Sequence, residues 1–302
     1  MNDFPINRRQ WIAASGAIAA AAWSAPQLAT AAEPITQRTA PMFKLSLAAY
    51  SYRKLLQGDK PQLTMADFID DCAKMQLDGT ELTSYYFPPN VSPAQLRELK
   101  RQAFLLGMSI SGTAVGNDFG HPDGEQRDKQ IADVKMWIDN AAILSAPVIR
   151  IFAGHAKKGI APDESHRLMV AGMQEVCDYA AKQGVFLALE NHGGPTATAA
   201  GLLKLVKAVD SPWFGVNLDT GNFHGEDIYG DLAKVAPYAL NVQVKVVVSG
   251  PDGKKVPTDF ARIAKILRDA NYRGFVVLEY EEAGDPREEC PKFVETLRKA
   301  LA

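Results

Sequence analysis

An excess of charge of either sign is missing: 33 Lys and Arg face 35 Asp and Glu, a net charge of −2 over 302 residues. A nucleic-acid partner favours a basic surface, so that class of function is set aside. Cysteine is scarce, and the three present (Cys72, Cys177, Cys290) are odd in number and scattered through helix-like segments. They read as buried free thiols rather than a disulfide framework or a metal site. The body of the chain has no apolar run long enough for a membrane-spanning helix. Glycine is absent from the first strand and its exit (residues 45–56, LSLAAYSYRKLL), where a doubly wound nucleotide-binding sheet would carry a phosphate loop. No internal repeat, low-complexity tract or domain boundary interrupts 42–302.

What is present suffices for one large domain with a full core, since 47% of residues are hydrophobic. Residues 1–33 stand apart. Arg8-Arg9-Gln10-Trp11-Ile12 opens an Ala-rich, weakly apolar stretch, and Ala29-Thr30-Ala31 has the small residues of a cleavage site. The segment resembles a twin-arginine export signal, which implies a periplasmic or otherwise extracytoplasmic protein and no membrane contact once the signal is removed. Residues 34–42 form a linker, and 43–302 the folded domain.

That domain alternates regularly. Strands are expected at 44–49, 78–83, 109–115, 148–154, 186–192, 214–220, 240–248 and 274–281. Amphipathic helices are expected near 64–76, 92–106, 124–144, 163–183, 196–209, 228–236, 258–270 and 287–301. Ser92 before Pro93, Asp163 with Glu164, and Thr258 with Asp259 serve as helix starts. Gly107, Gly184 and Gly274 fall where helices hand over to strands. Eight β-then-α units in about 260 residues match the count and size of an α/β TIM (β/α)8 barrel.

Four polar residues end the last four strands: Glu190, Asp219, Gln243 and Glu279, separated by 29, 24 and 36 residues. In a parallel barrel all four converge on one rim. Three carboxylates and an amide around one point suit a hard divalent cation, Mn²⁺ or Mg²⁺. The alternation around them agrees. In Asn241-Val242-Gln243-Val244-Lys245-Val246 the polar residues share one face, and Glu279 and Glu281 oppose Val276, Leu278 and Tyr280. Taken singly each has a bland alternative: a salt-bridged Glu190, a turn-forming Asp219, a hydrogen-bonded Gln243.

Histidine follows the same end, since His121, His155, His192 and His224 all come after strands and only His166 lies inside a helix. His155, His192 and His224 are candidates for binding substrate hydroxyls. Lys245, two residues beyond Gln243, would stabilise negative charge on a substrate oxygen. Glu81 ends strand two in a comparable position, and Tyr85, Tyr86 and Phe87 after it could wall the pocket.

Together LALENH, NLDTGNFH, NVQVKV and VVLEYEE resemble the xylose-isomerase-like TIM-barrel superfamily, in its sugar phosphate isomerase/epimerase branch, over residues 44–300. The resemblance implies a metal held by Glu190, Asp219, Gln243 and Glu279. Gln in place of His at the third position is similar to hydroxypyruvate-isomerase-like members. It further implies proton transfer beside the carbonyl of a small carbohydrate, with Glu190 and Glu279 as the acid–base pair around a metal-stabilised enediolate. Three rivals stand beside it. A lyase or dehydratase acting on sugars or oxidised glycosides would use the same enolate. A metal-dependent endonuclease would need a multinuclear cluster and a basic groove. A non-catalytic sugar-binding protein has no use for paired bases. The oligomeric state is left open, a homo-oligomer included.

Overall fold

The protein is described by a computed structural model, covering residues 33–35, 40–250 and 252–302. The twin-arginine-type segment therefore lies outside the described residues, except for Glu33. Eight parallel strands close into a barrel: β1 (Met42–Ala48), β2 (Gly79–Thr83), β3 (Ser109–Ala114), β4 (Val148–Ile151), β5 (Phe186–Glu190), β6 (Phe214–Asp219), β7 (Ala239–Lys245) and β10 (Arg273–Glu279). Each neighbours its successor, and β10 closes on β1 through Met42↔Arg273 to Leu47↔Leu278. The expected α/β TIM barrel is the observed fold.

Alternation decides which layer each side chain joins. Leu187, Leu189, Val216, Leu218, Val242, Val244, Val276 and Leu278 are buried outside the barrel, under the helices. Each contributes about 2–3 kcal/mol of transfer free energy. Their sequence neighbours Glu190, Asn217, Asp219, Asn241, Gln243, Lys245 and Glu279 are also buried and point the other way, into the barrel. Close approach inside requires Gly79, where a Cβ would stand 2.6 Å from Cε1 of Phe275.

Eight helices of eight residues or more follow the barrel strands: Met65–Lys74, Pro93–Leu105, Glu125–Leu144, Pro162–Gln183, Ala199–Ala208, Ile228–Val235, Phe260–Asp269 and Pro286–Leu301. Ser92 caps with a full capping box through Gln95, and Asp259 accepts from the Arg262 N–H. Three expectations need correction. The fourth helix starts at Pro162 after an uncapped Ala161, not at Asp163, because proline is preformed for the first helical position. Gly274 lies within β10, and the left-handed turn before it falls on Asn271 (φ 51°). The expected strand 240–248 breaks after Lys245. Its remainder, β8 (Val247–Ser249), pairs antiparallel with β9 (Lys255–Pro257) in a hairpin outside the barrel. All three cysteines are buried and free.

Candidate functional site

Glu190, Asp219 and Glu279 end β5, β6 and β10 at the same mouth, each at most 6% exposed. Their surroundings differ. Glu190 Oε1 accepts from Nδ2 of Asn222 at 2.8 Å, and its Oε2 lies 2.9 Å from Nε of Arg150 on β4. That contact is an ion pair rather than an aligned hydrogen bond, because the Arg150 Nε–H is aimed at no acceptor. The guanidinium is held from the other side: Nη1 donates to the Val115 carbonyl at 3.0 Å and to the Tyr85 hydroxyl at 3.2 Å. Its Cζ lies 4.1 Å from the centroid of the Phe152 ring.

Asp219 is fixed by its backbone. Its N–H donates to Oδ1 of Asn191 and its C=O accepts from Nδ2 of the same residue. One carboxylate oxygen, Oδ1, accepts from the Gly221 N–H at 2.8 Å. The other, Oδ2, is buried with no hydrogen-bond partner, and the nearest cation is Nζ of Lys245 at 3.4 Å. The same ammonium pairs with Glu279 Oε2 and, at 2.7 Å, with Glu281 Oε1. Thus one lysine touches three carboxylates.

Beneath this lies a second polar layer. Gln243 donates through Nε2 to Oε1 of Glu81 at 2.6 Å and accepts through Oε1 from Nδ2 of Asn217 at 2.7 Å. Asn241 Nδ2 donates to Glu81 Oε2 and to Asn217 Oδ1, both at 2.9 Å. Register shifts beside Glu81 in β2–β3 and beside Asn217 in β6–β7 bring these side chains into contact. Both ends of the Gln243 amide are therefore engaged, and its Oε1, with one of two lone pairs taken by Asn217, keeps one for a cation. Glu81, expected at the mouth to bind substrate, is fully buried and occupied by two amides.

Electrostatics follow from this crowding. Burial lifts the Glu190 carboxyl to about 7, with Arg150 pulling it down and the Glu279 charge pushing it up. Asp219 is raised by burial, against the pull of Lys245 and with added repulsion from Glu190 and Glu279. Burial also takes Glu81 to about 7, Glu279 adding to the rise. For Lys245 burial favours the neutral amine, but Asp219, Glu279 and Glu281 outweigh it and keep the ammonium charged.

The histidines divide. His224 is exposed and lines a cavity of about 280 Å³ with Asn222, Lys245, Glu279 and Glu281. His192 stands at the rim with its ring centroid 4.6 Å from that of Phe152, and burial, then Arg150 and Lys245, lower its pKa. His155 lines a cavity of about 370 Å³ with Ser165, His166 and Lys204, and shares a smaller one, of about 80 Å³, with His192, Asn117 and Phe152. Of the expected aromatic wall, Tyr85 meets Arg150, whereas Phe87 packs on Trp137 at 5.3 Å.

A divalent cation suits this donor set in kind: carboxylate oxygens, one of them, Asp219 Oδ2, buried and without a hydrogen-bond partner. Among the described residues, Glu190, Asp219, Glu279 and Glu281 pair with two side-chain cations, Arg150 and Lys245. If ionised, the cluster is two charges short of neutral. As the side chains stand, among the described residues no three His, Cys, Asp or Glu are gathered in a metal-holding arrangement.

The sequence matches the family model for the xylose isomerase-like TIM barrel over residues 69–300. The chain belongs to that family. No match was found among curated proteins. Solved structures show the same barrel. The D-psicose 3-epimerase from Clostridium cellulolyticum H10 with D-tagatose is 20% identical, with a TM-score of 0.71 over 85% of this chain and 99% of that one. An L-ribulose 3-epimerase is 18% identical, with a TM-score of 0.71 over 86% and 95%. The 3-keto-D-glucoside 4-epimerase of E. coli is 17% identical, with a TM-score of 0.69 over 85% and 100%. At these identities the likeness is one of fold.

Sequence reasoning passed over Arg150, Asn217, Asn222 and the clamping role of Glu281. Arg150 had a signal: a charge inside the four-residue strand Val148-Ile149-Arg150-Ile151 must be paired if that strand is buried.

Proposed function

We propose that this family member is a sugar isomerase or epimerase that moves a proton beside a carbonyl carbon at the mouth of the barrel. The observation that carries the reading is the pair Glu190 and Glu279. Both are buried carboxylates at strand ends on either side of Asp219, a pairing in which one can take a proton and the other return it. The sugar epimerases among the similar structures favour the same chemistry.

Arg150 and Asn222 hold the two Glu190 oxygens, which fixes the direction from which that carboxylate meets a carbon-bound proton. Glu279 meets the substrate from β10. Delivery by the second glutamate to the opposite face would epimerise, and return to a neighbouring carbon would isomerise. His192 and His224, exposed at the rim, are placed to hydrogen-bond hydroxyls. Glu190, Asp219 and Glu279 would hold a divalent cation, Mn²⁺ or Mg²⁺, which supplies positive charge against the oxyanion that forms as the proton leaves. Gln243 would serve this site by ordering Asn217 and Glu81 beneath it. The export reading of residues 1–33 adds that the sugar is met outside the cytoplasm, where unphosphorylated substrates prevail.

Proton NMR of candidate ketoses in D₂O tests the reading. Exchange of a carbon-bound proton without loss of water is expected, together with a fall of at least about 10³-fold in Glu279→Gln. Release of water or alcohol would instead identify a lyase. Near-normal turnover of Glu279→Gln would remove Glu279 from the chemistry, and no exchange across a broad panel would favour a binding protein.

A further inference from the structure

Lys245 is held at both its backbone and its ammonium. Its N–H donates to Oγ1 of Thr220 at 3.0 Å, and its C=O accepts from Oγ1 of Thr258 at 2.6 Å. The backbone is thereby pinned between two βα loops. The stem runs across Gly221, where a Cβ would stand 2.5 Å from Cγ of the lysine. Only glycine leaves that path open. The ammonium then ends among Asp219, Glu279 and Glu281.

Two of these three carboxylates belong to the proposed cation set, and the third does not. Glu281 is farther out, with its side chain 37% exposed. Its main chain is clamped: the Glu281 carbonyl accepts from Nη2 of Arg53 at 2.7 Å, and the preceding carbonyl, of Tyr280, accepts from Nη1 at 3.1 Å. The cavity of about 280 Å³ opens beside the same lysine and the same two glutamates. So the ammonium has an inner pair of partners, an outer partner on a fixed segment, and space between.

We infer that Lys245 is a resident counter-cation, which fills the carboxylate cluster without a divalent ion and moves outward to Glu281 when one binds. The inference rests on the metal reading above. A dication at Asp219 and Glu279 cannot share their oxygens with an ammonium that already touches both, because two like charges at contact distance repel strongly in a partly dry site. The lysine therefore keeps the ion-free barrel from holding a bare acidic cluster, and it sets the affinity with which an ion enters.

Two measurements on the full chain test this. The first is calorimetric titration with Mn²⁺ of wild type and Lys245→Met. The methionine keeps most of the stem and removes the charge, so binding about tenfold tighter or more is expected. The second is amine acetylation of the wild type read by mass spectrometry, in EDTA and in saturating Mn²⁺. Lys245 should be nearly inert in EDTA and label several-fold faster with Mn²⁺. The exposed Lys254 and Lys299 serve as unchanging controls. Mn²⁺ binding with no change in Lys245 labelling, or weaker binding by Lys245→Met, would overturn the displacement while leaving the metal reading intact. No Mn²⁺ binding by either protein would overturn both. The labelling arm uses wild-type protein and stands even if the variant folds poorly.

Discussion

The Arg150–Glu190 pair offers the sharpest test of how the barrel interior is held together. At 2.9 Å and an effective dielectric of about 20, the Coulomb attraction is roughly 6 kcal/mol, most of it offset by desolvating both ions. What survives is the cost of breaking the pair on one side only. Glu190→Gln leaves the guanidinium facing a neutral amide, but burial already favours the uncharged carboxyl, so this change should cost only about 1–2 kcal/mol. Arg150→Met should cost more, about 4–5 kcal/mol, because it also strips the Val115 carbonyl and the Tyr85 hydroxyl of their donor. The double variant removes both charges and should recover about 2–3 kcal/mol relative to the sum of the singles. Urea unfolding at pH 7 in EDTA measures all four proteins, provided each shows a single transition with an unchanged slope. The pH dependence gives a second reading. The native pKa of Glu190 is raised, from 4.5 to about 7, so its contribution is fully present below about 4.5 and lost as pH rises through about 7. The Arg150→Met penalty should therefore be larger at pH 8 than at pH 5, where the carboxyl can stay neutral. Two single variants costing under about 1 kcal/mol each, or a double variant that is simply additive, would refute the pairing.

Two further predictions concern the loops. Asp118 accepts the N–H groups of Gly120 (2.9 Å) and His155 (3.1 Å) and pairs with Lys157, and these outweigh its partial burial to hold its pKa below 3.8. Asp118→Asn should cost about 1–2 kcal/mol at pH 7, discounted for solvent screening. The depressed native pKa means that this contribution is lost as pH falls through it, so the difference should shrink in melts near pH 3. Gly154→Ala should lower the unfolding free energy by about 3 kcal/mol or more, since at φ +94° its Cβ would lie 2.1 Å from Oδ1 of Asp118 and 2.7 Å from the Phe119 nitrogen. Gly159→Ala, at φ +86° with no atom within 4 Å, is the control and should cost only about 1 kcal/mol.

Most of the barrel could be read from the chain because its local signals agree. Strand runs, capping residues and helix lengths repeat on one period, and boundaries shifted at Pro162 and Asn271 and at the ends of β4 and β7. The carboxylates at the ends of β5, β6 and β10 were readable for a related reason: alternation places one polar side chain inward at the end of an otherwise apolar strand. What faces that side chain across the barrel is a different matter. Glu81 and Gln243 meet over 162 residues, and nothing in either strand names the other. Register shifts beside Glu81 and Asn217 decide that contact, and they arise only when neighbouring strands pair.

Lys245 shows what can nevertheless be inferred from an inward charge. On the alternation alone its expected role is to stabilise negative charge on a substrate oxygen, which names no partner within the protein. A closed barrel leaves another course, because a charge on the inner face of β7 must find its counter-ions on neighbouring strands or their exits. Those are the ends of β6 and β10, which supply Asp219, Glu279 and Glu281. Burying an unpaired ion costs several kcal/mol, so an inward lysine flanked by inward acids is bound to pair with them. The same reasoning assigns Arg150 on β4 to Glu190 on the adjoining β5. In such a barrel, cations on inner faces mark the acids whose charge is already balanced. Two cations shared among four acids leave the cluster short of positive charge, and Asp219 Oδ2, which faces Lys245 at 3.4 Å but has no hydrogen-bond donor, is where an added cation would have most to gain.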